Sequence, residues 1–132
     1  MKKIYVLLLL AAVGIGQVYA ETLTIRIENA EIGRGPIRVG IYNDDKAFPD
    51  PDKYYASADT EAADTVVIVT MPLPKGTYVV AVYQDKNNNG KLDKFMGIPK
   101  EKYGFSNNTM VPNWGKNSFE MNGDTSVTIR LR

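Results

Sequence analysis

Residues 73–93 read LPKGTYVVAVYQDKNNNGKLD, and this stretch decides the fold class. Tyr78, Val80 and Val82 alternate with Val79, Ala81 and Tyr83. A period of two is the geometry of a strand, whose successive side chains point to opposite faces. The run then stops at Asn87-Asn88-Asn89-Gly90, residue types that tolerate the positive φ of a tight turn. At its start Gly76 stands two residues ahead of Tyr78. That spacing fits a corner in which a Tyr hydroxyl caps the backbone of the preceding loop; a plain core aromatic is the other reading, and both are structural.

Working outward, the same period recurs. Leu23, Ile25 and Ile27 alternate with Thr24, Arg26 and Glu28, and Ile37, Val39 and Ile41 with Arg38, Gly40 and Tyr42. Val127, Ile129 and Leu131 alternate with Thr128, Arg130 and Arg132. Val66 to Val69 is unbroken β-branched sequence, which predicts a strand covered on both faces or lying at a sandwich seam. Shorter strands are expected at Tyr55–Ala58 and Ser118–Met121. Gly33-Arg34-Gly35-Pro36 and Pro72 to Gly76 supply turns, and Asn122-Gly123 is a hairpin signal. No segment holds a helical period for three turns; residues 47–55, with Pro49 and Pro51, have room for one helical turn. About seven short strands punctuated by turns predict one small antiparallel β-sandwich.

The first twenty residues predict export. Lys2 and Lys3 precede the apolar run Ile4–Val13, and Val18-Tyr19-Ala20 ends on a small residue suited to signal peptidase. The run is far short of the roughly twenty residues that span a bilayer, so a cleaved signal over 1–20 and one domain over 21–132 are expected. The mature protein is then exported, periplasmic or secreted, with no membrane span. Of the 16 basic residues, loss of Lys2 and Lys3 leaves 14 against 15 acidic ones, a net charge of −1. Near-neutrality argues against nucleic acid, whose phosphates demand a basic face. No basic amphipathic helix is present to lie on a membrane surface. The absence of Cys and His removes disulfides, thiolate and imidazole chemistry, and most zinc or copper sites.

One stretch carries oxygen-ligand spacing. Asp85, Asn87, Asn89, Gly90 and Asp93 form a D-x-N-x-N-G-x-x-D run. Calcium takes six to eight oxygens, and alternating Asp and Asn turn their oxygens inward within one tight loop. Gly90 permits the sharp turn, Lys91 offers its carbonyl, and Asp93 serves directly or through water. The twelfth position is Met96 where an EF-hand has a bidentate Glu, and no helices bracket the loop, so an EF-hand is rejected. A plain Asn/Gly turn is the competing reading. A carboxylate from another loop, Glu101 or Asp44 and Asp45, would favour calcium.

Residues 97–115 are long for a loop in so small a domain. Tyr103, Phe105, Asn107, Asn108 and Trp114 would form a platform for sugar rings or an extended peptide if exposed. The alternative is a loop whose aromatics close over the end of the sandwich. Catalysis has little support: Ser106 and Ser118 lack a His partner, and no second carboxylate pair stands beside Asp85 and Asp93. No catalytic residue is assigned.

Taken together, LPKGTYVVAVYQDKNNNGKLD, Gly97-Ile98-Pro99-Lys100-Glu101 and Tyr103-Gly104-Phe105-Ser106-Asn107-Asn108 resemble the uncharacterised exported bacterial family called domain of unknown function 2141. The resemblance extends to Ile37–Tyr42 and Ala47-Phe48-Pro49, with Lys75-Gly76 where the family usually has Pro-Gly. It implies a small secreted or periplasmic β-sandwich of the transthyretin-like, prealbumin-like kind and no established activity. Asp85, Asn87, Asn89, Gly90, Asp93, Gly104, Phe105, Asn107 and Asn108 carry over as signature positions without roles. The expected function is a non-enzymatic binding module with a weak calcium site and a small-molecule, glycan or protein partner. The alternatives are a structural or assembly module of the cell envelope, using faces such as Tyr42 and Tyr83, and a carboxylate-based hydrolase.

Overall fold

The computed structural model describes residues 20–90, 94–95, 98–99 and 101–132, with backbone alone at 94, 95, 98 and 99. The expected export signal therefore lies, but for Ala20, outside the described residues. The described residues are all-β with almost no helix. Its strands are β1 (Glu21–Glu28), β2 (Ile37–Tyr42), β3 (Ala56–Thr60), β4 (Val67–Leu73) and β5 (Gly76–Gln84). They continue with β6 (Lys94–Phe95), β7 (Ile98–Pro99), β8 (Tyr103–Phe105), β9 (Phe119–Met121) and β10 (Thr125–Arg130). One turn of helix, α1 (Trp114–Asn117), and a 3-10 turn at Ser106–Asn108 complete the list. Among the described residues no helix is long and apolar enough to cross a membrane.

Eight of these strands form two sheets, one ordered β10-β1-β4 and the other β3-β2-β5-β8 with β9 pairing the start of β5; β6 and β7 make a separate ribbon. Alternation decides what is buried. Leu23, Ile25 and Ile27 of β1, Val67, Val69, Met71 and Leu73 of β4, and Ile129 of β10 join Ile37, Val39, Ile41, Val80 and Val82 of the other sheet in one apolar cluster. Each fully buried Ile or Leu contributes on the order of 1.5–3 kcal/mol against exposure. The Tyr78 hydroxyl donates to the Pro74 carbonyl at 2.6 Å, so the corner reading describes this residue.

Four expectations are corrected. The sheets are not purely antiparallel, because β1 pairs with β10 in parallel from Leu23 opposite Thr125 to Glu28 opposite Arg130. Asn122-Gly123 is not a hairpin, since β9 pairs with β5 and β10 with β1: the chain changes sheets there. The β-branched run is not covered on both faces, for Val67 and Val69 are buried while Ile68 and Thr70 are half-buried. Tyr42 and Tyr83 are not surface aromatics. Both are buried, and Tyr42 meets Phe48 and Tyr54 edge-on at 5.0 and 5.1 Å.

That burial follows from a second layer. Residues 43–55, with a cis Phe48-Pro49 bond, bring Phe48 and Tyr54 over the outer face of β2 and β5. Gly40 makes room, because a Cβ there would overlap the Tyr54 ring. The two sheets also meet along one side. Tyr103 and Arg132 exchange backbone hydrogen bonds of 3.2 and 3.0 Å, and the Asn108 side chain accepts from Arg130 N–H and donates to the Thr128 carbonyl.

Candidate functional site

Strand β5 delivers Asp85 to one end of the molecule, where the β1–β2 loop is latched onto it. Gln84, fully buried, accepts from Glu31 N–H at 2.9 Å through Oε1 and donates through Nε2 to the carbonyls of Glu31 and Gly35. Asp85 N–H donates to the Pro36 carbonyl at 2.8 Å. Gly35 has φ +105°, and a Cβ there would overlap the Asp85 carbonyl oxygen. Only glycine takes this combination of conformation and proximity.

Asp85 is fully buried, and its carboxylate organises the loop that follows. Oδ1 accepts from Asn89 N–H at 3.2 Å, and Oδ2 accepts from Gly90 N–H at 2.7 Å. Asn87 Oδ1 also accepts from Asn89 N–H at 3.3 Å. Asn88 and Gly90 take the left-handed backbone, with φ of 54° and 77°, that lets the chain turn this tightly. Arg38 on β2 closes the outer side. Its Nε donates to Asp85 Oδ2 at 3.1 Å, one terminal nitrogen to Asp59 at 2.9 Å, and the other to Asn88 Oδ1 at 2.8 Å. A buried carboxylate is costly unless paired and hydrogen-bonded, and here it is both.

Glu101 arrives from the far side of the ribbon. It is buried, and its Oε2 accepts from Lys86 N–H at 2.6 Å, one residue beyond Asp85. The Lys86 ammonium pairs with Glu31 at 2.6 Å, and this hydrogen bond holds the Glu31 carboxyl below its ordinary range. Asp85, Asn87 and Asn89 thus share one turn with Glu101 beside it, whereas Lys91 and Asp93 lie outside the described residues. Among the described residues no three acidic side chains converge on one point. Beside Arg38 an open concavity of about 590 Å³ runs between the 32–36 and 61–63 loops.

The aromatic segment is arranged differently. Phe105 is buried against Phe48 at 5.8 Å and Tyr103 at 5.7 Å, and half-buried Trp114 lies 6.2 Å from Phe48. Asn107 and Asn108 are exposed, yet both amides are engaged with backbone: Asn107 donates to Lys116 and Ser118 carbonyls, and Asn108 clips β10. Ser106 and Asn117, both fully buried, tie this segment to β5: the Ser106 hydroxyl accepts from Val80 N–H and donates to the Asn117 carbonyl. The crevice between Tyr103, Asn108 and Arg130 holds about 10 Å³, room for one water at most. This geometry is that of a loop closing over a sheet.

Sequence reasoning assigned no site role to Arg38, Gln84, Phe48 and Tyr54. Arg38 alternates with Ile37 and Val39, which marks its side as outward and says nothing of a partner. Gln84 ends an apolar strand at an inward position, and a polar residue there was a readable sign of a buried latch.

The sequence model of the family described as "Uncharacterized protein conserved in bacteria (DUF2141)" matches residues 25–130. No curated protein and no solved structure matches the chain.

Proposed function

The chain belongs to this DUF2141 family, and from that premise we propose that it is an exported, non-enzymatic binding module that holds calcium in the Asp85–Asp93 loop. The observation that carries the reading is the Asp85 carboxylate. It accepts from the N–H groups of the fifth and sixth loop residues, Asn89 and Gly90, and so keeps the loop wound. Glu101, sixteen residues on, supports it as the carboxylate from outside the loop. In this reading the two sheets form a transthyretin-like β-sandwich, and the loop sits at one end of it.

Two carboxylates of the loop with two amides make a weakly charged cage, so the dissociation constant falls in roughly the 10⁻⁴–10⁻³ M range of extracellular modules. The Asp85–Arg38 pair weakens binding further, because the guanidinium competes for the same oxygen. Hydrolysis by carboxylates needs a pair open to substrate, whereas Asp85 and Glu101 are buried and turned onto N–H groups. Isothermal titration of the purified protein with calcium, beside an Asp85→Ala variant, tests the reading. Saturable heat in the parent and none in the variant is expected. No heat and no shift in Tm at millimolar calcium would sink the metal assignment.

A further inference from the structure

Met110 and Val111 are 56 and 71 % exposed, the one adjacent pair among the described large apolar side chains that stand out in solvent. Exposed apolar residues scattered singly need no explanation, but this pair is braced in place. The Tyr103 hydroxyl donates to the Met110 carbonyl at 2.9 Å, and the Thr109 hydroxyl to the Val111 carbonyl at 2.9 Å. The buried Asn117 amide in turn donates to the Thr109 hydroxyl at 2.7 Å. Exposed Pro112 follows, stiffening the tip. Three side-chain bonds thus hold apolar groups out in water, where the hydrophobic effect opposes them.

The charged side chains that line the crevice at the tip are both basic. Arg132 donates to Met110 Sδ at 3.1 Å, and Arg130 lines the same crevice; both side chains are exposed. Lys116 is exposed on the turn that Asn107 bonds. From Lys102 to Phe119, and again from Thr125 to Arg132, the sequence contains no Asp or Glu. Glu28, opposite Arg130 on β1, is already paired with Arg26 at 3.1 Å. The near-zero net charge conceals these basic residues because acidic residues elsewhere in the chain balance them.

We propose that the Met110–Val111 tip and its flanking Arg130 and Arg132 form a docking surface for an anionic lipid bilayer, the apolar pair entering the headgroup boundary and the arginines meeting phosphates. A small wedge with basic flanks is the combination that peripheral membrane binding uses, apolar burial adding to attraction for acidic headgroups. The surface does not involve the Asp85 loop, so it stands or falls separately from calcium.

The test is cosedimentation of the purified protein with vesicles of equimolar phosphatidylcholine and phosphatidylglycerol, against vesicles of phosphatidylcholine alone. Trp114, the single tryptophan and three residues from Val111, gives a fluorescence readout. Binding to the anionic vesicles with a blue shift of Trp114, weakened by salt above roughly 0.1 M, is expected. Met110→Asp with Val111→Asp should lower it about tenfold. Arg130→Gln with Arg132→Gln, a separate variant with an unchanged tip, should lower it while flattening the salt dependence. An unaltered Tm shows that either variant is folded. No binding to anionic vesicles at low salt, or equal binding to neutral ones, overturns the proposal. So does binding that survives the aspartates and is matched by soluble dextran sulfate, which would reassign the face to polyanions.

Discussion

The Nε–H of Arg38 donates to Oδ2 of Asp85 at 3.1 Å, joining the start of the molecule's second strand to the first residue of the Asn-rich loop. One guanidinium therefore neutralises a fully buried carboxylate and, through Asn88 and Asp59, pins the loop to the edge strand β3.

Replacing that guanidinium exposes both of its effects. Arg38→Gln leaves Asp85 with two backbone donors and no countercharge, so unfolding in calcium-free buffer should show a loss of about 2–3 kcal/mol. The same change removes a cation from beside the proposed calcium position. Titration should then give a Kd lower by roughly tenfold, and millimolar calcium should restore most of the lost Tm. A variant that is destabilised equally with and without calcium would separate Arg38 from any metal.

Gly35 faces Asp85 from the other side. With φ at +105° and no space for a Cβ beside the Asp85 carbonyl, Gly35→Ala should cost at least about 2 kcal/mol. Hydrogen exchange should show the loss concentrated in residues 30–36 and 84–90, where the two loops meet. Uniform loosening across both sheets would contradict this local account.

Tyr78→Phe removes the 2.6 Å bond to the Pro74 carbonyl while keeping the ring in place. A cost of about 1–2 kcal/mol is expected in urea unfolding, with an unchanged m-value. A neutral result would mean that water replaces the hydroxyl at the half-exposed Pro74.

Alkaline stability follows from the tyrosines. Burial pushes the phenols of Tyr78 and Tyr83 from 10.0 up to about 12, with Tyr55 adding to the effect on Tyr78 and Tyr54 on Tyr83. The folded state therefore holds these protons more tightly than the unfolded chain. Their contribution is fully present below pH 10 and is lost as pH rises toward 12, so Tm should fall across that window. Tyr78→Phe should flatten part of the decline, and ultraviolet titration of the phenolates provides the direct check.

Much of this was legible in the chain. Strands β1, β2, β5 and β10 came out of alternation alone, because which face of a strand is apolar is written in residues two apart. The Asn-Asn-Asn-Gly turn was legible for the same reason, since positive φ is a property of single residue types. The candidate ligands Asp85, Asn87 and Asn89 share one turn, and local spacing alone put them there.

What stayed hidden is what distance along the chain hides. Arg38 and Asp85 lie 47 positions apart, and nothing in either segment names the other. Phe105 reads as a ring in a long polar loop until the 43–55 segment folds Phe48 over it. By itself the sequence determined an all-β chain with an oxygen-rich loop, because periodicity and turn chemistry act between neighbours. The tertiary structure decided that β10 runs parallel to β1, that the loop's first carboxylate is buried against a guanidinium, and that Met110 and Val111 stand exposed with Arg132 bonded to the Met110 sulfur. Those outcomes depend on the order of strands in the sheets, which is set by packing between residues that local pattern cannot pair.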